Sequence, residues 1–288
     1  MRLKIIISLS ALILAGCATG SSGDGKESDW NLTGDDSSFD GDQLGGQSRT
    51  DSQRSQGSPT PVQATAGTET QALIEAVRSG SDDQIVRAAT SILSKHPMDA
   101  KALNALGFVH YKRGQFAAAA LMFDKAIKSD PRSSEVHNNM GLTFLAQKES
   151  REAIKSFRRA LEANSGDGIT AANLGALYIE HRDYNKALVA MEIAYRKNSK
   201  DHRILNNYGI ALAATGKHSQ ARDMYKQALS LNSNSKDVML NYAILLIDHL
   251  NKNDEGLDLI GKIRFLGPSP EARNRINALE NKAKAALK

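Results

Sequence analysis

The stretch NNMGLTFLAQKESREAIKSFRRALEANS, residues 138–165, decides the fold, because its landmarks return at a constant interval. Its glycine, Gly141, belongs to a series with Gly107, Gly175 and Gly209, each 34 residues from the next. Twelve residues after each glycine stands an alanine: Ala119, Ala153, Ala187 and Ala221. Four residues further on comes a large apolar side chain, Phe123, Phe157, Met191 or Tyr225, and three beyond that a second alanine, Ala126, Ala160, Ala194 or Ala228. A period of this size marks a chain built from stacked supersecondary units. The steps of four and three put the landmarks of each second half on one helical face. Each period is therefore expected to hold two antiparallel helices, A and B, with the glycine on A and the alanines on B. The missing glycine side chain lets A approach B closely, and the large residue fills the space beside that contact. No such pair buries its apolar face alone, so stacked neighbours must complete the core.

The pattern resembles the tetratricopeptide repeat, whose signature runs from a large residue through Leu-Gly, an aromatic, Ala, an aromatic and Ala to a terminal Pro. Leu106-Gly107, Met140-Gly141, Leu174-Gly175 and Tyr208-Gly209 fill the Leu-Gly position. The following aromatic is His110, Phe144, Tyr178 or Leu212, and the proline survives only as Pro131, with Ser165, Ser199 and Ser233 in the other repeats. The resemblance implies an all-α fold, a right-handed superhelix (α-solenoid) of about five to six helix-turn-helix units. The four repeats run over 100–235. Residues 68–99 form a degenerate copy, with Ile92 and Pro97 in the alanine and proline columns. Residues 236–268 form another, with Tyr242-Ala243 replacing Leu-Gly and with Gly256, Ile260, Ile263 and Pro268 each displaced by one residue. In 269–288, Ser269 caps a helix with Pro270 in its first turn, and Ile276, Leu279, Ala283 and Leu287 form the apolar stripe of a capping helix.

The other end of the chain is made differently. Arg2 and Lys4 precede the apolar run Ile5–Leu14, which is too short to span a membrane and has the anatomy of a secretory signal. Leu14-Ala15-Gly16-Cys17 resembles the lipobox of bacterial lipoproteins, which implies removal of 1–16 and acylation of Cys17, the only cysteine. Several acyl chains anchor a protein stably where one does not. Ala18 follows the cysteine where many lipoproteins kept at the inner membrane have Asp, which points to the periplasmic face of the outer membrane. With Cys17 acylated, no thiol remains for a disulfide or a thiolate metal site.

Residues 17–67 are rich in Ser, Gly, Asp and Gln and have no apolar period, the composition of a disordered tether. Fifty flexible residues span about 40 Å. Trp30, Leu32, Phe39 and Leu44 interrupt the polar composition, either as scattered linker residues or as a short docking motif. Charge divides at the same place. The tether carries a net −5, whereas the 32 basic and 24 acidic residues after position 67 give +8. A basic folded part suits acidic protein partners or anionic surfaces. The expected compartment excludes nucleic acid.

Asparagine is a mediocre helix former, yet it recurs on the A helices in two columns. The first reads Asn104, Asn138, Ala172, Asn206 and Leu240, and the second Ala105, Asn139, Asn173, Asn207 and Asn241. Helical spacing places these beside Lys101 and Arg203 on one side and Phe108, Leu142, Ile210 and Ile244 on the other. In the family this face of helix A lines the concave surface. An amide offers one acceptor and two N–H donors, so one amide per repeat can bond an extended peptide backbone, as in the similar asparagine ladder of O-linked N-acetylglucosamine transferase. The same amides can instead bond within or between repeats. Both readings stand at the sequence level.

No catalytic chemistry is visible. The seven histidines are dispersed, with no pair at metal-ligand spacing on one helix. The string Thr215-Gly-Lys-His-Ser219 lacks the first glycine of a phosphate loop, Ala211 standing in its place. No nucleophile sits beside a base. No enzyme activity, metal or cofactor is expected. An acylated cysteine, a polar tether and a repeat superhelix suit a membrane-tethered scaffold for protein partners. In RILNNYGIALAATGKHSQARDMYKQALSLN (203–232) and VMLNYAILL (238–246) the chain resembles the TadD-type lipoproteins of tight-adherence (Flp) pilus assembly. That resemblance implies a role in pilus biogenesis and in placing the outer-membrane secretin. Alternatives are a repeat lipoprotein for gliding motility, outer-membrane protein assembly or peptidoglycan-hydrolase regulation, and, from another class, a substrate-presenting module of an enzyme.

Overall fold

The computed structural model describes residues 61–288, with side chains from residue 67 onward. The signal sequence, Cys17, the docking-motif candidates Trp30, Leu32, Phe39 and Leu44, and the tether up to residue 60 lie outside the described residues. Among the described residues there are thirteen α-helices and no strand. The chain divides into two compact units between Thr143 and Phe144, inside one helix.

The first unit holds α1 (Pro61–Ser79), α2 (Asp82–Lys95), α3 (Ala100–Lys112), α4 (Phe116–Ser129) and most of α5 (Ser134–Ala146). Helix α1 begins inside the stretch whose composition suggested tether, so the helical part of the chain starts seven residues earlier than position 68. Leu73 and Ala76 of α1 pack with Ile85, Ala89 and Ile92 of α2 and with Ala102, Ala105 and Val109 of α3. The degenerate copy thus supplies apolar cover for the first full repeat.

The second unit holds the end of α5 followed by α6 (Ser150–Ala163), α7 (Gly168–Glu180), α8 (Tyr184–Lys197), α9 (His202–Ala214), α10 (His218–Leu231), α11 (Lys236–Asp248), α12 (Asn253–Phe265) and α13 (Pro270–Ala286). From α6 to α13 consecutive helices pack on one another, and α9 also touches the A helices α7 and α11 on either side. That is the neighbour-only contact pattern of a repeat stack.

In three A–B pairs, α3–α4, α7–α8 and α9–α10, the contact forms as the spacing predicts. A Cβ added to Gly107 meets the ring of Phe123 at 2.6 Å, one on Gly175 meets Met191 at 2.7 Å, and one on Gly209 meets Tyr225 at 2.7 Å. Ala119, Ala126, Ala187, Ala194, Ala221 and Ala228, which flank these large residues, are fully buried. In the fifth repeat the parts exchange. Ala243 takes the glycine position on the A helix, while Gly256 on the B helix admits Ile247, whose Cγ1 would lie 2.5 Å from a Cβ added to that glycine.

The turns between A and B helices form a column of their own. Gly80, Gly114, Lys148, Arg182 and Gly216 recur every 34 residues, and all have positive φ. Asn251, with φ 53°, takes the next place one residue late, where the sequence columns shift by one. Left-handed backbone costs a non-glycine residue roughly 1–2 kcal/mol, least for Asn, so Lys148 and Arg182 hold strained positions. A second column starts the A helices. Asp99 caps α3 by accepting from Ala102 N–H at 2.8 Å, Asp167 caps α7 by accepting from Thr170 N–H at 3.0 Å, and Asp201 caps α9 by accepting from Arg203 N–H at 2.8 Å. The Thr215–Ser219 string is one of the A–B turns. Thr215 Oγ donates to the carbonyls of Ala211 and Leu212, and Gly216 supplies the left-handed residue.

Helix α13 closes the stack. Ser269 caps it and Pro270 opens it. Ala272, Ile276, Leu279 and Ala283 are buried, and α13 packs on α11 and α12. Leu287 departs from the expected stripe: the helix ends at Ala286, and Leu287 is half exposed beyond it. Asp248 at the end of α11 ties the cap down, accepting from Arg275 at 3.0 Å and from Lys282 at 2.6 Å.

Two substitutions test this packing by thermal denaturation. Gly209→Ala is expected to lower Tm, because overpacking against a fixed ring costs about 1–3 kcal/mol and exceeds the gain of up to ~1 kcal/mol in helix propensity. Gly261→Ala, in open space on α12, is expected to raise Tm, which separates the steric effect from propensity. Arg182→Gly relieves the left-handed strain and is expected to stabilise by about 0.5–1 kcal/mol after the added chain entropy of glycine. An unchanged or lower Tm for Arg182→Gly would contradict the strain argument.

Candidate functional site

The asparagine columns lie on A helices and are buried. Asn104, Asn138, Asn139, Asn173, Asn206, Asn207 and Asn241 are each less than a tenth exposed. In the first unit Asn139 of α5 donates through Nδ2 to Asn104 Oδ1 of α3 at 3.0 Å. Asn104 in turn donates to Glu135 Oε1 at 2.7 Å. Thr143 Oγ donates to the Asn139 carbonyl one turn earlier in the same helix at 2.9 Å, which satisfies the buried hydroxyl. The second unit repeats the pattern on other helices. Asn241 of α11 donates to Asn206 Oδ1 of α9 at 3.1 Å, and Asn206 donates to Asn207 Oδ1 at 3.3 Å.

These bonds follow one rule. A second-column asparagine donates to the first-column asparagine of the preceding repeat, 35 residues earlier. The offset exceeds the 34-residue period by one because the two columns are sequence neighbours. Each such bond joins adjacent A helices through buried amides, where loss of one partner leaves the other unsatisfied. Of the two roles the sequence left open for the amides, bonding between repeats is present in both units.

The apolar residues expected beside the amides are mostly enclosed. Leu142, Ile210 and Ile244 are buried, and Phe108 is half-buried with its ring 6.4 Å from that of Tyr111. They therefore do not form the open apolar wall that helical spacing suggested. An A helix in the second unit meets the B helices before and after it and the neighbouring A helices, so most of its circumference is covered. In α7, Thr170–Ile179 are all buried, as are Val238–Ile247 in α11. What this face does expose is polar or isolated. Lys101 and Arg203 are exposed, and Ile169 is 54% exposed.

Arg203 is not a free cation. Its guanidinium reaches Asp201 at 2.8 Å. The bond from Asp201 raises the Arg203 pKa above its ordinary value. Burial works against the Asp201 charge, but the bonds from the Arg203 side chain and backbone outweigh it and hold the carboxyl below the usual range. The cap of α9 and the candidate binding residue are thus one unit.

Sequence reasoning missed a contact between dispersed histidines: His218 at the start of α10 stacks on His249 at the end of α11, with ring centroids 4.5 Å apart. Their separation of 31 positions gives no periodic signal. Among the described residues, no group of three or more His, Cys, Asp or Glu is placed to hold a metal ion, and no helix is long and apolar enough to cross a membrane.

A double-mutant cycle tests the amide clasp. Asn104→Ala and Asn139→Ala are each expected to destabilise by about 1–3 kcal/mol, because each strands a buried partner. The double variant should lose less than their sum, with a coupling of at least about 0.5 kcal/mol. Additive losses in denaturant unfolding would show that the bond contributes nothing.

The tetratricopeptide repeat family matches residues 104–168 and 173–249. No curated protein matches the chain in sequence. Among solved structures, that of YrrB, described as a TPR protein with an unusual peptide-binding site, has a TM-score of 0.61 at 18% identity and covers 69% of this chain and 99% of its own. The structure of Pseudomonas aeruginosa pilF has a TM-score of 0.52 at 22% identity, covering 65% of this chain and 88% of its own. A mutant of MamA gives 0.52 at 20% identity, covering 58% and 96%. At these identities the likeness is one of fold. With its 34-residue columns, its glycine-to-bulky contacts and these matches, the chain carries tetratricopeptide repeats over 104–168 and 173–249 in an all-α, solenoid-like fold.

Proposed function

We propose that this chain is a lipid-anchored scaffold that binds protein partners in the periplasm and assists assembly of a pilus or secretion system at the outer-membrane secretin. The observation that carries the reading is the combination of Leu14-Ala15-Gly16-Cys17 with a repeat stack that has no recognisable catalytic constellation. Repeat stacks of this kind offer extended surfaces to protein or peptide ligands. Acylated Cys17 holds the chain on the periplasmic face of the outer membrane, and the tether gives the repeats reach. The partner is a protein or extended peptide segment, with the secretin or a neighbouring assembly component as the first candidate. The sequence resemblance to the TadD-type lipoproteins supports this assignment.

The partner engages what the A helices leave accessible, Lys101 and Phe108 in the first unit or Ile169 and Arg203 in the second, while the amides set the spacing of the helices that carry them. An acidic or mixed-charge segment suits this surface, as it suits the net +8 after residue 67.

Two measurements test the reading together. Metabolic labelling with an alkyne fatty acid should mark the wild-type protein, and Cys17→Ala should abolish the label and release the protein from the membrane fraction. Deleting the gene should reduce detergent-resistant secretin multimers severalfold, with partial recovery by the Cys17→Ala form. An unlabelled wild-type protein rejects the anchor, and normal secretin multimers in the deletion strain reject the pilus assignment in favour of another periplasmic assembly role.

A further inference from the structure

The stacked histidines join the last full repeat to the end of α11, next to Asp248, which Arg275 and Lys282 of α13 reach. His218 Nδ1 and His249 Nε2 are both buried without a hydrogen-bond partner. A neutral imidazole can present a bare lone pair there, but a charged one carries N–H on both nitrogens. Charging either ring therefore seals an N–H away from any acceptor and sets a cation face to face with its neighbour at 4.5 Å.

The charges around the pair sharpen this effect. Helix α10 contributes His218 and, one turn on, Arg222, whose Nε is also buried without a hydrogen-bond partner and lies 3.7 Å from the Asp223 carboxylate. Helix α12 contributes Glu255, which is committed to Lys252 and feels Arg222. Helix α11 contributes Asp248, next to His249 in sequence. Helix α13 contributes Arg275 and Lys282, and both reach Asp248. Burial holds the His249 pKa below its ordinary 6.5, as do the neighbouring His218 and Lys282, against the opposing pull of Asp248. Asp248 thus anchors α13 to α11 through two cations, as the Arg264–Glu280 pair anchors it to α12, and it is also the carboxylate a charged His249 would seek.

We propose that the His218–His249 stack is an acid-released latch on capping helix α13. When the rings are neutral they pack, and Asp248 is left to Arg275 and Lys282. When His249 is protonated, it repels His218 and Lys282 and competes for Asp248. The cap then loosens and uncovers the apolar faces of α11 and α12 against which Ile276, Leu279 and Ala283 pack. The sign follows from the lowered pKa. The unfolded or detached form binds the proton more readily, so the latch is fully closed above the ordinary imidazole value of 6.5 and opens as pH falls below it.

Hydrogen exchange followed by mass spectrometry on the full-length protein, at about pH 7 and about pH 5 with times corrected for intrinsic exchange, reads the latch directly. Peptides from 270–286 should lose protection by about tenfold or more in acid while those from α7 and α8 keep theirs, and His249→Gln should abolish the difference. Equal protection of α13 at both pH values overturns the proposal, as does a loss shared by α7 and α8 or one that persists in His249→Gln. If His249→Gln leaves α13 unprotected even at neutral pH, the wild-type His249 titration followed by NMR decides. A midpoint coinciding with the release of α13 supports the latch, and separate midpoints overturn it.

Discussion

The structure depends on one close contact, repeated in α3–α4, α7–α8 and α9–α10: a glycine on the A helix lies against a large side chain on its B helix. Where Gly107 meets Phe123 and Gly209 meets Tyr225, no atom can be added without moving a ring. The flanking alanines keep the backbones near enough for that ring to fill the gap. Removing the large side chain from such a site costs about 3–5 kcal/mol. The third full repeat uses Met191 against Gly175, a flexible side chain that fills the same volume without a ring. The constraint is therefore on shape and volume, and the chemical type of the filler is secondary.

Once this contact fixes how A and B approach, the connections have little freedom. The A–B turn must reverse the chain in a few residues, and a left-handed residue at one place does so. Glycine occupies that place in Gly80, Gly114 and Gly216, yet Lys148 and Arg182 adopt the same conformation. Packing on both sides of a turn outweighs a strain of roughly 1–2 kcal/mol at a single residue. The same logic explains Asn251. An added residue in the last A–B turn moves the left-handed position by one, and asparagine tolerates it.

The legibility of the sequence follows this hierarchy. Landmarks that recur at 34 residues and differ in size, such as Gly175 against Met191, are visible because period and volume together admit few arrangements. The left-handed column is hidden because two of its members are not glycine-like: Lys148 and Arg182 look like ordinary surface residues. The amides stand out as columns, but their role does not. A side chain that is near a helical face in projection can be enclosed once neighbouring helices arrive, as Leu142, Ile210 and Ile244 are. The bond from Asn139 to Asn104 depends on how two A helices sit side by side, which no local spacing specifies. The His218–His249 stack is further from view still, since it joins non-equivalent positions of different repeats.

The amides and the histidines show two ways in which a repeat stack uses buried polar groups. Asn139 on Asn104 and Asn241 on Asn206 are polar pairs whose donors and acceptors match at any ordinary pH, so they join neighbouring A helices permanently. His218 on His249 matches only while both rings are neutral, because two of their nitrogens are sealed without partners. The histidines join α10 to α11 beside Asp248, the carboxylate that Arg275 and Lys282 of α13 reach. Helix α13 rests on α11 and α12, with Asp248 accepting from Arg275 and Lys282 and Glu280 accepting from Arg264, so the proposed change affects one helix and leaves the remaining repeats in place.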